Sequence, residues 1–328
     1  MNIGILGGGV WGSALAKLLS SNKVCIYSRD LKVVNSINEH HFNPRLKYAV
    51  FNDNVTATSD INLLSDFDYI FIALPSQKIR EVLSSFKSSN KDQEIVIGSK
   101  GIEINSSLFI SDIVKLTTNL NDISVISGPC FSDEVAQNLP TAVTYASLKK
   151  SSFNKLGKLF PNKNFRLYYS DDLIGCQVGG ALKNIYAIAA GITLGLNLGE
   201  NSKSALITRS FVEISRFGQS LGAKKETIFG LSGLGDLILT CNSMKSRNTK
   251  FGQKIASMKN PDFDDILKSQ QITEGYYTVK AVKKIAEDKN IEMPILQSLF
   301  NILYNNFSIQ DEIDVLLGRP LTDEFEKK

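Results

Sequence analysis

The sequence predicts an α/β fold class, in which an N-terminal doubly wound sheet is followed by an all-α C-terminal body. Three observations carry that prediction. A glycine-rich turn joins a buried strand to an apolar helix at the start, strand and helix patterns alternate up to Asp172, and helical patterns follow almost without interruption. At 328 residues the chain also exceeds the size at which one hydrophobic core usually stops growing. Two domains are therefore expected, spanning 1–178 and 179–328.

The first strand is Asn2 to Leu6, and Gly7, Gly8, Gly9, Val10, Trp11 and Gly12 lead from it into an apolar helix, Ser13 to Leu19. This is a GxGxxG turn in the context that gives it meaning, with a second strand at Lys23 to Tyr27. It points to a Rossmann-type, dinucleotide-binding first domain, with a tight structural turn as the competing reading. Gly7 permits the tight turn, Gly9 lets backbone approach a pyrophosphate, and Gly12 lets helix pack on strand, while the helix N-terminus offers N–H groups to anionic oxygens. The second strand ends at Ser28-Arg29-Asp30. An acid there accepts the 2′-hydroxyl of NAD, whereas Arg29 can pair with the 2′-phosphate of NADP. NADP is therefore expected to be preferred, with NAD left open by Asp30; Arg29 as a plain solvated charge is the competing reading.

Tyr69 to Leu74 is the next strand and stops at Pro75, Ile79 to Phe86 has helical spacing, and Glu94 to Gly98 is a strand running into Ser99-Lys100-Gly101. Lys100 thus lies just past the carboxyl end of a strand, on the edge where open α/β sheets bind ligands, unless it is a surface loop lysine. Ile123 to Ile126 breaks at Ser127-Gly128-Pro129-Cys130-Phe131 on the same edge, and Ser132 to Gln137 reads as a short helix. Strands Thr141 to Tyr145 and Phe165 to Tyr169 bracket a helix around Phe153 to Leu159.

The helical half opens with Gly179 to Gly199, GGALKNIYAIAAGITLGLNLG, in which Lys183 is the single charge. A buried ammonium is expensive, so Lys183 either snorkels to water or has a function. The small residues around it suggest that this helix lies close to the first domain. Further helices are expected at Ala205 to Leu221, Phe251 to Met258, Phe263 to Ser269, Thr278 to Asp288, Gln297 to Asn305 and Asp311 to Leu317, with a polar tail over 319–328. Between them, a glycine-punctuated loop from Gly230 delivers Asp236. Ser246-Arg247-Asn248 then sets a hydroxyl, a guanidinium and an amide side by side ahead of a helix, which suits a phosphate. Ser246 as a helix cap beside a surface Arg247 is the plainer alternative.

Composition narrows the function classes. The balance of 37 basic against 33 acidic residues, net charge +4, is too small and dispersed for a nucleic-acid partner. Cys25, Cys130, Cys176 and Cys241 show no paired spacing, and His40 and His41 have no evident ligand partners, so no metal site is expected. Unpaired cysteines and an opening strand in place of a leader pattern point to the cytoplasm. Gly and Asn in the longest nearly uncharged run speak against stable membrane insertion.

At this point the motifs GGGVWGSALA, SKG, SGPCF..EVA, GGALKN, ALITR, GLSGLGDLILTC, SRN..FG and EGY, in this order and spacing, closely resemble bacterial NAD(P)-dependent glycerol-3-phosphate dehydrogenases over nearly the whole chain. The resemblance implies reversible reduction of dihydroxyacetone phosphate to sn-glycerol 3-phosphate for phospholipid synthesis, and a homodimer. It implies Lys183 as the catalytic acid/base and Lys100, Gly128, Cys130, Asp236, Ser246, Arg247 and Asn248 around the phosphate substrate. Val10, Trp11, Arg29, Lys100, Ser132, Arg247, Ile272 and Glu274 fall where the family meets its nicotinamide cofactor. The chain departs from the common pattern at Cys130, where Ser or Thr is usual, at Ser132, where Ala is usual, and at Phe42-Asn43-Pro44-Arg45-Leu46, where an aromatic and Leu-Pro are more frequent. The chemistry of the residues agrees with the assignment. Hydride transfer to a ketone leaves an alkoxide that needs a proton, a buried lysine can give it, and no histidine is well placed to compete. Dehydrogenases of 6-phosphogluconate, hydroxyacyl thioesters or ketopantoate are the enzymatic rivals. An NAD(P)H-binding redox sensor without turnover is the rival from another class.

Overall fold

The computed structural model describes all residues except 161–162, 259–262, 264–272, 322 and 325–328. Its first half is an eight-stranded sheet whose strands are short, apolar and flanked by helices on both faces. Strands β1 (Asn2–Leu6), β2 (Lys23–Tyr27), β3 (Val55–Thr58), β4 (Tyr69–Ile72), β5 (Glu94–Ile97), β6 (Ile123–Ser127), β7 (Thr141–Ser147) and β8 (Phe165–Ser170) lie in the order β3-β2-β1-β4-β5-β6-β7-β8. Strands β1, β4 and β5 are nearly or wholly buried apolar runs, as expected for strands covered on both faces. The first six run parallel and put their carboxyl ends on one edge.

Strand β7 departs from a uniformly parallel sheet: it pairs antiparallel with β6, in the register Ser127 to Thr144, and β8 is parallel to β7. The cause lies in the connection. Residues 128–140 hold only the short helix α5 (Ser132–Ala136), which packs on α1 (Val10–Leu18) instead of crossing back over the sheet. The chain therefore re-enters from the edge it left. Three further helices, α2 (Leu31–His40), α3 (Ile79–Ser84) and α4 (Ile110–Thr117), cover the sheet, and α6 (Lys150–Gly157) precedes β8.

Helix α7 (Leu173–Gly195) begins six residues before the Gly179 from which the sequence reading started it. Asp172 sets the start: its carboxylate accepts the Gly175 N–H at 2.8 Å and the Lys224 N–H at 2.7 Å. The helix also ends before Gly199, which opens α8 (Gly199–Ser220) with φ +85° just after the turn. Length and composition alone would let α7 cross a membrane, yet 83% of its apolar window is buried inside the protein. The bundle around it is made of α8, α9 (Lys225–Phe229), α10 (Asp236–Cys241), α11 (Arg247–Ala256) and the helices Glu274–Asp288, Pro294–Tyr304 and Ile309–Leu317. Glu213 of α8, pushed up to about 7 by burial, accepts the Ile295 N–H at 2.7 Å and caps the helix Pro294–Tyr304.

The loop expected from Gly230 is instead helical: Leu231–Gly235 makes a π turn that continues into α10. Gly233 serves contact, since a Cβ there would lie 2.0 Å from the Ile228 carbonyl oxygen. The small residues of α7 are likewise used mostly within the helical half. A Cβ on Gly191 would meet the Thr249 oxygen of α11 at 2.1 Å and one on Gly179 the Ser232 oxygen at 2.3 Å. Gly180 faces the first half, against Ser127 and the Lys100 stem. Of the expected helix from Phe263 to Ser269 only Phe263 is described, buried in the helical core, and Ile272 lies outside the described residues.

Candidate active site

The turn after β1 has the form a bound dinucleotide needs. Gly7 has φ +124°, a backbone conformation closed to most side chains. A Cβ on Gly12 would sit 1.9 Å from the Gly7 oxygen, so helix and turn touch. A Cβ on Gly9 would meet nothing within 4 Å, which leaves open space in front of the turn. Gly9 is also the N-cap of α1 and brings no side chain to its first N–H groups. Trp11 lies against Gly98, and its indole N–H is buried without a hydrogen-bond partner among the described residues. An open cradle of N–H groups with an orphaned indole donor beside it fits a nicotinamide dinucleotide.

In front of this turn is a cleft of about 280 Å³. Gly9, Val10, Trp11, Pro75, Lys100, Cys130 and Ser132 line it from the sheet side, and Lys183, Asn184, Arg247, Asn248 and Glu274 from the helical side. At its floor one carboxylate holds two ammonium groups. Asp236, the first residue of α10, is fully buried; its Oδ1 is 2.6 Å from Lys183 Nζ and its Oδ2 is 2.6 Å from Lys100 Nζ. Lys183 Nζ also donates to Thr240 Oγ1 at 2.9 Å, while that hydroxyl donates to the Asp236 carbonyl at 2.6 Å. Two ammonium hydrogens of Lys183 are thereby held, and a third is left for a ligand.

Lys100 donates to the Gly128 carbonyl at 2.9 Å, and the Cys130 thiol donates to the same oxygen at 3.2 Å. Gly128 has φ +154°, and a Cβ there would press on Val143 at 2.9 Å.

Burial lowers the Lys183 pKa, and the Lys100 charge adds to this against the pull of Asp236, so the net shift is downward. Burial also opposes the Lys100 ammonium, but the Asp236 carboxylate outweighs it and its pKa rises. Burial pushes the Cys130 thiol up, partly offset by Lys100, which keeps it protonated and able to donate.

Around this centre the phosphate trio divides. Arg247 and Asn248 face the cleft, and Asn248 donates to Asn184 Oδ1 at 2.9 Å while accepting the Gly275 N–H at 2.9 Å. Ser246 caps α11, its hydroxyl accepting the Thr249 N–H at 3.2 Å. Glu274 bridges to the sheet half by accepting the Ser76 N–H at 3.0 Å and the Ser76 hydroxyl at 2.5 Å. Burial raises the Glu274 pKa against those bonds and the nearby Arg247. Arg29 stands apart from the cleft floor, exposed and 2.8 Å from Glu81. Thr240 and Ser76 were not among the expected site residues. Thr240 is four residues from Asp236, one helical turn, and that spacing carries information only if the stretch is read as helix.

The comparisons agree with this geometry. Residues 2–153 match the family model of the NAD-dependent glycerol-3-phosphate dehydrogenase N-terminus, and residues 172–314 match that of its C-terminus. The glycerol-3-phosphate dehydrogenase (NAD(P)+) of Zymomonas mobilis is 38% identical over 99% of this chain and 95% of its own. The enzyme of that name from Bacillus subtilis is 39% identical over 98% and 95%. A crystal structure of glycerol-3-phosphate dehydrogenase from Coxiella burnetii superposes with a TM-score of 0.88 at 35% identity, covering 97% of this chain and 99% of that one. With both halves matched and the cleft lying between them, the chain belongs to the NAD-dependent glycerol-3-phosphate dehydrogenase family.

Proposed function

We propose that the cleft reversibly reduces dihydroxyacetone phosphate to sn-glycerol 3-phosphate, with Lys183 as proton donor and, in the reverse direction, acceptor. The observation that carries this reading is the Lys183 ammonium, buried on Asp236 and Thr240 and facing the glycine turn across the cleft. When bound, NAD(P)H supplies the hydride to the ketone carbon. Lys183 then gives a proton from Nζ to the oxygen that carries the developing negative charge. Its lowered pKa makes that transfer easier, and the neutral amine is the base for oxidation. Lys100, anchored on Asp236 and Gly128, polarises the carbonyl, and Cys130 steadies that anchor from the same carbonyl oxygen.

Arg247, Asn248 and the N-terminus of α11 hold the substrate phosphate; the Ser246 hydroxyl accepts from Thr249 and keeps a proton to give. Gly7, Gly9, Gly12, Val10, Trp11, Ser132, Ile272 and Glu274 hold the cofactor, and Arg29 favours NADP over NAD. We assign 1–178 to dinucleotide binding and 179–328 to substrate binding, and place the enzyme in the cytoplasm as a homodimer supplying glycerophospholipid synthesis. A sensor without turnover has no use for two lysines on one buried carboxylate.

The test is to mix the protein with dihydroxyacetone phosphate and NADPH, then NADH, and follow the absorbance of reduced nicotinamide. Oxidation is expected with both, faster with NADPH. Lys183→Ala is expected to lose about 10²-fold or more in turnover while still binding cofactor. Folded protein that oxidises neither cofactor, or a Lys183→Ala variant of near-normal turnover, overturns the reading.

A further inference from the structure

One buried amide ties the loop after α2 to the glycine turn. Asn43, fully buried, donates to the Gly8 carbonyl at 3.2 Å and to the Ser13 hydroxyl at 2.6 Å, and Ser13 in turn donates to the Gly9 carbonyl at 2.8 Å. On its other side Asn43 Oδ1 accepts the backbone N–H of Arg45 at 3.0 Å. Leu46 and Ala49 anchor the loop in the sheet's core, and a bridge from Phe42 to Val50 closes its base. Arg45 is therefore held at a fixed place relative to the turn that faces a pyrophosphate.

From that place the Arg45 guanidinium reaches Asp30 Oδ2 at 2.6 Å. Asp30 stands just past β2, where an acid in this kind of domain accepts the ribose 2′-hydroxyl. Its other oxygen, Oδ1, accepts the Lys32 N–H at 3.0 Å as the cap of α2. Both oxygens are thus engaged, and the hydrogen bond from Arg45 is the main influence holding the Asp30 carboxyl below its usual range. Alongside, Arg29 pairs with Glu81 at 2.8 Å, but Glu81 is shared with Lys78 at 3.1 Å and all three are exposed. Three cations stand against two carboxylates. An exposed pair of this kind is weak, so a phosphate dianion can take the place of Glu81 on Arg29.

We infer that Arg45 is a specificity-determining residue, which occupies Asp30 and forms with Arg29 a two-guanidinium cradle for the 2′-phosphate of NADP(H). The inference rests on the reading of this chain as an NADP-preferring dehydrogenase and names what sets that preference. Arg45 offsets the charge of the carboxylate that NAD would use as acceptor and supplies a donor that only NADP can use. Selectivity then comes from both sides of the comparison.

Steady-state rates with NADPH and NADH, for the wild type, Arg45→Gln and the control Lys47→Ala, test it. In Arg45→Gln the KM for NADPH is expected to rise about tenfold, the loss of one charge-assisted bond, while kcat/KM with NADH changes by less than about twofold or improves as Asp30 is released. Calorimetric titration with adenosine 2′,5′-bisphosphate and with 5′-AMP separates binding from turnover: only the bisphosphate should lose affinity in Arg45→Gln. Lys47→Ala should match the wild type in every arm, and thermal melts confirm folding. A wild type that prefers NADPH, with Arg45→Gln keeping the same preference and the same bisphosphate affinity, overturns the role of Arg45 alone. A wild type without preference for NADPH overturns the cofactor reading and this inference together. If neither cofactor is oxidised, the bisphosphate titration still decides for or against Arg45.

Discussion

In the proposed reaction Asp236 is the residue on which the chemistry turns, because one carboxylate serves two lysines that it must keep unequal. Its charge raises the pKa of both, yet Lys183 ends below its ordinary value and Lys100 above. For reduction the donor must be protonated, so the rate should fall as pH rises through the Lys183 pKa. For oxidation the neutral amine is needed, and the rate should rise through the same value. Asp236→Asn removes the largest influence that raises that pKa, so both limbs are expected to move to lower pH, in addition to a loss of rate. Profiles of kcat/KM in both directions, on variant protein shown to be folded, check this; limbs that stay in place would mean Asp236 does not act on Lys183. Lys183 was legible in the sequence because a lone charge in an apolar helix must be accounted for. Its partner Thr240 and the Ser76 that donates to Glu274 were not, since these contacts join residues 57 and 198 positions apart, and the spacing of Thr240 from Asp236 informs only once that stretch is known to be helical. Arg29 was legible as a cation at the ribose end, and the Glu81 that holds it, 52 residues away, was not.

Among the elements, α7 and α11 approach so closely that two glycines replace side chains at the crossing. A Cβ on Gly252 would lie 2.0 Å from the Ile188 oxygen, a backbone atom that cannot turn aside. Gly252→Ala should therefore destabilise the protein by about 1–3 kcal/mol, through forced separation of the helices. Gly157, at the end of α6, has nothing within 4 Å of its Cβ position, and Gly157→Ala should gain roughly 0.4–1 kcal/mol. Urea midpoints of the two variants against the wild type measure the contrast, and equal midpoints would remove the crossing argument. Strands such as Tyr69–Ile72 could be read from the sequence because four consecutive buried positions are nearly all apolar. The direction of β7 could not, because it depends on where α5 packs. The helical nature of Leu231–Gly235 was hidden for a related reason: glycines that exist for close contact read as loop when the partner is out of view.

At the scale of the whole molecule, the order of the two halves was visible as a change of hydrophobic period after Asp172, but their interleaving was not. Ile102 and Phe109, from the sheet half, belong to the helical core, while Cys176, in the first turn of α7, belongs to a core of the sheet. Leu173 packs there beside it. Near residue 178 the chain therefore passes between cores that share residues, with no gap between bodies. For α7 the consequence is thermodynamic. A helix shared by two cores cannot melt with one of them and stay intact in the other, so heat should be absorbed in one cooperative endotherm instead of two. Scanning calorimetry on the full chain measures this directly, and two resolved peaks would show that the halves unfold apart. The same sharing makes Lys183, the proposed proton donor one turn beyond Gly179, among the last parts of the chain to lose its surroundings as the protein unfolds.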